Sequence, residues 1–372
     1  MPTHINLTVE ELIRSPRGSY AECRARFLEI CAACGVPPVS YEHPLRGPDG
    51  DPLYTDAVLV GPRDADSVLV IVSGTHGIEG YAGSLCQACW LSSCHRNPPG
   101  AGSAVVLIHM LNPWGAAWQR RHNEDNIDLN RSFVDRRIEP PVNAAHEAII
   151  ARGVMDALDE SLPDSAWTVV TDFRRDAGED AFAAALFQGQ YARADGFNYG
   201  GRAQTWSQTT LNTILATLLD QPKRVALIDL HTGLGPFGFG TALCLEPPGS
   251  NLIPVLRGWY QSGFVALLED RGDLPYIVQG DLSNGLKALL PLAEVLAVSL
   301  EFGTYDAERF ARLLVSDEWL RRHQAEATAA GAAIRADMMH FFCPDSRTWR
   351  QWIVERALQV FELALSGLQH GR

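Results

Sequence analysis

Three strand-like apolar runs of this 372-residue chain end on residues able to bind a metal or move a proton. VLVIVS leads into GTHGIEG, which places His76 and Glu79 just beyond it; VALIDL is followed by His231, and VLAVSL by Glu301. Two histidines and one carboxylate form a common catalytic zinc set that leaves a fourth position for water or substrate. Zinc acidifies that water and polarises a carbonyl oxygen. A further carboxylate, outside the ligand set, must then take the water's proton, a task that suits Glu301. Singly, each signal is weak: a strand-end histidine is ordinarily a hydrogen-bonded loop residue, and HxxE pairs are frequent on helix surfaces. The joint pattern, with glycines around His76 and Glu79, is far more specific.

A second dense stretch, LNPWGAAWQRRHNEDNIDLNRSF (111–133), carries Arg120, Arg121, Asn130 and Arg131 among several carboxylates. A guanidinium can clamp a substrate carboxylate through two parallel hydrogen bonds, and another can stabilise an oxyanion on a polarised carbonyl. The alternative is a solvated loop in which Asp125 and Asp128 simply neutralise the arginines. Asp229, two residues before His231, is open to three readings: support for a ligand, a second metal, or an ordinary buried strand aspartate. FQGQYARADGFNYGG (187–201) is either a lid on the crevice or packing and turns.

Positioning these groups requires a sheet. Near-continuous Val/Leu/Ile runs at 66–74, 103–111, 223–231 and 294–302 read as strands covered on both faces. Helical patterns lie at 7–35, with Gly35 as the stop, in EGYAGSLCQACWLSS, PVNAAHEAIIARGVMDALDE, SQTTLNTILATLLD and GSNLIPVLRGWYQSGFVALLEDRG, and in a long final helix from Ser346. Residues 36–57 read as hairpin or loop, and 173–206 as a long loop with a functional role. The expected fold is α/β: a single large domain with a central mixed, mostly parallel sheet between helices. Residues 1–54 form an N-terminal helical appendage and loop packed on a catalytic domain of 55–372. In such sheets the binding crevice lies beyond the carboxyl ends of the strands, where side chains distant in sequence converge.

The ordered set HGIE, NPWG, RxNxxxxDLNR, DLHTG and SLEFGT resembles the zinc metallocarboxypeptidase superfamily, which includes the aspartoacylase and succinylglutamate desuccinylase branch. GTHGIEG, NEDNIDLNR, YGG and DLHTGLGPFG are further similar to the bacterial subfamily called domain of unknown function 2817. The resemblance covers roughly residues 55 to 320. It implies a zinc carboxypeptidase-like fold, with His76, Glu79 and His231 as ligands of Zn2+, Arg121 polarising the scissile carbonyl, Asn130 and Arg131 gripping the substrate's carboxylate, and Glu301 as general base. Digestive members also use a mobile tyrosine late in the chain. No motif fixes its counterpart here, and Tyr199, Tyr276 and Tyr305 are candidates by position alone.

Composition excludes other classes. A net charge of -13 argues against general affinity for nucleic acid or anionic membranes, and no apolar run reaches the length of a membrane helix. With no basic n-region and apolar h-region at the start, a cytoplasmic protein is expected. The eight cysteines are too sparse for a disulfide scaffold, and the pairs Cys31/Cys34 and Cys86/Cys89 read as small apolar helix residues. GLGPFG (233–238) spells a dinucleotide fingerprint, but Pro236 denies it the helix that motif needs. The expected function is a zinc-dependent hydrolase cleaving an amide next to a free carboxylate on a peptide or small molecule. The alternatives are an N-acyl-amino-acid deacylase and a non-catalytic metal- or peptide-binding protein. Oligomeric state is not readable from the sequence.

Overall fold

The four apolar runs are strands, and all four are parallel neighbours. In the computed structural model, which describes residues 7–94, 99–270, 278–325 and 328–370, they are β3 (Ser67–Ser73), β4 (Ser103–His109), β5 (Arg224–Gly233) and β8 (Glu294–Gly303). Four more strands complete the sheet: β1 (Val39–Arg46), β2 (Pro52–Val60), β6 (Gly240–Cys244) and β7 (Phe264–Ala266). Their order is β1-β2-β4-β3-β5-β8-β6-β7. β1 and β2 join antiparallel at one edge, and β6 is antiparallel to β8. The β1–β2 hairpin straddles residue 54, so hydrogen bonds tie part of the N-terminal segment into the sheet.

Alternation along the central strands explains why both faces are covered. Leu69, Ile71, Ile228, Leu230, Val298 and Leu300 enter one apolar layer, beneath the helices Tyr20–Ala33, Gly80–Ser93 and Arg347–His370. Val68, Val70, Val225, Leu227, Val295 and Ala297 enter the opposite layer, against Trp206–Leu218 and Leu282–Leu289. With the side-chain period of two, Asp229 and His231 on β5 and Ser299 and Glu301 on β8 continue this second face past the end of the core.

The helix Tyr20–Ala33 starts at a reciprocal cap between Ser19 and Glu22 and ends where Gly35 takes φ 68°. Two departures from the sequence reading stand out. The expected loop 173–206 is helical over its first part, in Pro163–Ala177 and Glu179–Phe187. The expected single helix from Gly249 breaks after Leu252–Tyr260, where Gln261 has φ 52°, and the chain continues into β7. Cys31, Cys86 and Cys89 are buried, and burial pushes the Cys31 and Cys89 thiols to about 12. After Gly233 the chain turns into β6 without a helix, as Pro236 requires. Among the described residues no helix is long and apolar enough to cross a membrane.

Candidate active site

The carboxyl ends of β3, β5 and β8 bring the predicted residues together. After β3, Gly74 takes φ 69° and the chain makes a short 3-10 turn, Gly77–Glu79, that runs into the helix Gly80–Ser93. His76 sits at the start of that turn and Glu79 at its end. The turn is pinned by backbone bonds from Gly77 N to Arg121 O at 3.1 Å and Ile78 N to Arg120 O at 2.9 Å. A Cβ on Gly77 would lie 2.2 Å from the carbonyl carbon of Gly115, so only glycine permits this approach. The same backbone pairing thus delivers His76, Glu79 and Arg121 to one place.

His76, Glu79 and His231 are buried, and one ligand atom from each lies within 4.8 Å of the others. Glu79 Oε2 is 3.1 Å from His231 Nδ1 and accepts a hydrogen bond from Thr232 N at 3.0 Å. Each imidazole has an aspartate behind it. Asp229 Oδ2 lies 2.7 Å from His231 Nε2, and its Oδ1 accepts from Thr75 Oγ1 at 2.7 Å. Asp128 Oδ1 lies 3.4 Å from His76 Nδ1. Of the three readings of Asp229, the one in which it supports His231 matches these bonds. A carboxylate bonded to one nitrogen of a histidine is a usual outer partner of a metal ligand; at His76 the Asp128 contact is electrostatic, since Nδ1 has no hydrogen-bond partner among the described residues and Nε2 accepts from Arg121.

Charge makes the same case for a cation. Four acids, Glu79, Asp128, Asp229 and Glu301, meet two arginines, Arg121 and Arg131, a shortfall of basic groups in a largely buried cluster. A divalent cation fits that deficit and the donor set. Burial opposes a proton on His231, but Asp229 and Glu79 overcome it and hold its pKa well above the ordinary value. Burial and then Arg121 hold His76 well below. Burial would raise Asp128, yet Arg121 and His76 keep it ionised, well below the usual range.

Glu301 lies opposite His231 on the adjacent parallel strand. Burial, and then the charge of Glu79, lift its pKa to about 7, while Leu234 N donates to Oε1 at 3.0 Å. Arg121 Nη2 donates to His76 Nε2 at 2.8 Å, and Nη1 bonds to Asp128 and to Asn198 Oδ1, the latter at 3.2 Å. Asn130 Oδ1 accepts from Leu282 N at 3.0 Å, leaving its amide N–H groups as the donors for a ligand. Arg131 donates to the carbonyls of Gln188, Asn130 and Phe187. Two of a guanidinium's five N–H groups remain beyond these three bonds. All seven predicted residues line one cavity of about 300 Å³. A wider groove of about 800 Å³ around Phe133, Pro140 and Ala288 is open to solvent and holds none of them.

The sequence model of the family described as "Protein of unknown function (DUF2817)" matches residues 17–356. The chain belongs to this family. No curated protein matches this DUF2817 member. Solved structures similar to it include bovine thrombin-activatable fibrinolysis inhibitor in complex with tick carboxypeptidase inhibitor, at 12% identity and TM-score 0.42, covering 88% of this chain and 98% of that one. Murein-tripeptide amidase from Escherichia coli O157 follows at 16% and 0.33, covering 80% and 92%. Succinylglutamate desuccinylase from Chromobacterium violaceum matches at 14% and 0.34, covering 86% and 74%.

Several DUF2817 residues at the site carry no signal in the sequence taken alone. Asn198, with φ 43°, accepts from Arg121 and from His122 Nε2 at 2.9 Å and donates to Leu186 O at 2.7 Å. Thr75 acts through Asp229, whereas Asp128, which the sequence already offered as neutralising the arginines, bonds to Arg121. The segment 187–201 is packed in place, with Gln190, Tyr191, Phe197 and Asn198 buried and Tyr191 OH donating to Arg131 O at 2.8 Å, and its Phe187 and Asn198 line the cavity. Tyr305 OH pairs with His340 Nε2 at 2.7 Å, and Tyr199 supplies its carbonyl to Asp128 N. Neither lines the cavity. Tyr276 lies outside the described residues.

Proposed function

We propose that this protein is a zinc-dependent hydrolase that cleaves an amide bond adjacent to a free carboxylate. The reading is carried by one observation: two aspartate-backed imidazoles and Glu79 converge within 4.8 Å, with Glu301 outside that set on the neighbouring strand. His76, Glu79 and His231 would hold the cation, which supplies carbonyl polarisation and an acidified water when bound.

The chain's own groups then divide the work. Glu301 takes a proton from the attacking water and passes it to the leaving nitrogen, a transfer suited to a carboxyl whose pKa lies near neutrality. Arg121 is held by Asp128 and Asn198 at the cavity wall, where its charge steadies the oxygen of the tetrahedral carbon. Asn130 and the uncommitted N–H groups of Arg131 receive the substrate's carboxylate. Burial of His76, Glu79, Arg121, Asn130, Arg131 and His231, with Glu301 half-buried beside them, strengthens these interactions relative to water.

Cavity size favours a small substrate. About 300 Å³ lies at the lower end of the usual ligand-pocket range, which suits an N-acyl amino acid or dipeptide better than a long chain. The test is metal analysis of the purified protein followed by hydrolysis of peptide and N-acyl amino acid panels. Chelation should abolish turnover and zinc should restore it. Glu301→Gln should keep its zinc and lose about 10²- to 10⁴-fold in turnover. Undiminished activity in that variant, or full zinc retention in His76→Ala, would overturn the mechanism. Zinc binding with no hydrolysis of any carboxylate-bearing amide would favour a non-catalytic binding protein.

A further inference from the structure

Beyond the reacting groups, the walls of the cavity carry information about the substrate, given the hydrolase reading above. Register sets Glu301 beside His231, Ser299 beside Asp229, and Leu243 of β6 beside Ser299. Crossing the sheet from β5 to β6 spans two strand spacings, roughly 10 Å. Over that distance the floor changes from imidazole and carboxylate, through a hydroxyl, to leucine. Leu245, two residues beyond Leu243, lines the same cavity, as do Leu267 and Val278. Phe187 and Phe310 also line the cavity and stack on each other, with ring centroids 5.3 Å apart and planes 7° from parallel.

Among the described residues, the only charged side chains lining the cavity are those already assigned to cation, proton, carbonyl oxygen or carboxylate. The acid nearest in sequence to this end, Glu246, is buried and satisfied by Lys287 and by Ser250 Oγ at 2.9 Å. Among the described residues a cationic substrate group would find no counter-charge here, and an anionic one no donor beyond Ser299. Either would lose its water without compensation, whereas an apolar group gains by leaving water.

We propose that this compartment selects substrates whose carboxylate-bearing residue has an apolar side chain of leucine to phenylalanine size, and rejects acidic and basic ones.

The test uses N-acetyl-leucine, N-acetyl-phenylalanine, N-acetyl-aspartate and N-acetyl-lysine. Turnover is read as kcat/KM on the zinc-loaded full chain, and affinity by calorimetry on zinc-loaded Glu301→Gln. The leucine and phenylalanine compounds should exceed the aspartate and lysine compounds by about 10²-fold in both measurements. Leu243→Asp should improve the lysine-to-leucine ratio at least about tenfold, the scale of one well-placed pocket contact. Leu245→Asp serves as the second variant if circular dichroism shows the first unfolded. Charged compounds that bind or react as well as the leucine one would overturn the proposal. So would absence of binding by all four, or an unchanged ratio in both variants. Selective binding without turnover of any amide would sink the hydrolase reading and leave the apolar preference standing.

Discussion

Removing the carboxylate behind His231 tests the site at its least obvious residue. Asp229 accepts two buried hydrogen bonds, from Thr75 and from His231 Nε2, both at 2.7 Å. The second turns Nδ1 toward Glu79, where a bound cation would displace the proton favoured on the metal-free ring, and keeps a proton on Nε2. In Asp229→Ala that proton has no acceptor, the ring loses its fixed orientation, and the cluster's negative charge falls by one. Partners of this kind contribute about 10- to 100-fold to metal affinity, equivalent to roughly 1.4 to 2.7 kcal/mol. Asp229→Asn should sit at the low end, because an amide can turn its oxygen to His231 while Thr75 rotates to accept its N–H. Asp229→Ala should sit at the high end. The assay is competition for zinc between metal-free protein and a chromogenic chelator, with circular dichroism to confirm folding. If both variants bind zinc within about threefold of wild type, the ring orientation does not depend on Asp229 and the cation site has been misplaced.

Other consequences are equally open to measurement. Gly77→Ala forces a methyl group against the Gly115 backbone and should cost about 1 to 3 kcal/mol in urea unfolding, with loss of zinc. Asn198→Ala leaves Arg121 and His122 each short of an acceptor; kcat should fall about tenfold or more at unchanged zinc content, so equal kcat would dismiss Asn198 as a positioning residue. In metal-free protein the Glu301 carboxyl binds its proton more tightly folded than unfolded, its pKa rising from 4.5 to about 7. Its contribution to stability is therefore present below about 4.5 and is lost as pH climbs to about 7. Wild type should lose stability across that window relative to Glu301→Gln in urea titrations, and parallel curves would place Glu301 in water.

The sequence made the central strands legible because burial on both faces leaves unbroken apolar runs, and their carboxyl ends then located His76, His231 and Glu301. The β1–β2 hairpin was blurred for the opposite reason: β1 is exposed along most of its length and lacks such a run. The helix Pro163–Ala177 mixes Asp and Arg with few apolar positions, and its last residues were absorbed into an expected loop. Asn198 and Thr75 escaped notice because their roles exist only through contacts with residues 77 and 154 positions away. Arg131 shows a different limit. Its type and spacing suggested a free clamp, whereas its side chain also anchors the carbonyls at 187 and 188.

Because His231 and Glu301 occupy facing positions on adjacent parallel strands, slippage of β8 by a single residue would turn the glutamate into the opposite apolar layer. Under the proposed mechanism, correct strand alignment and the capacity for proton transfer would be one and the same event during folding. A population trapped in the shifted pairing could retain its secondary structure by spectroscopy and still be catalytically silent.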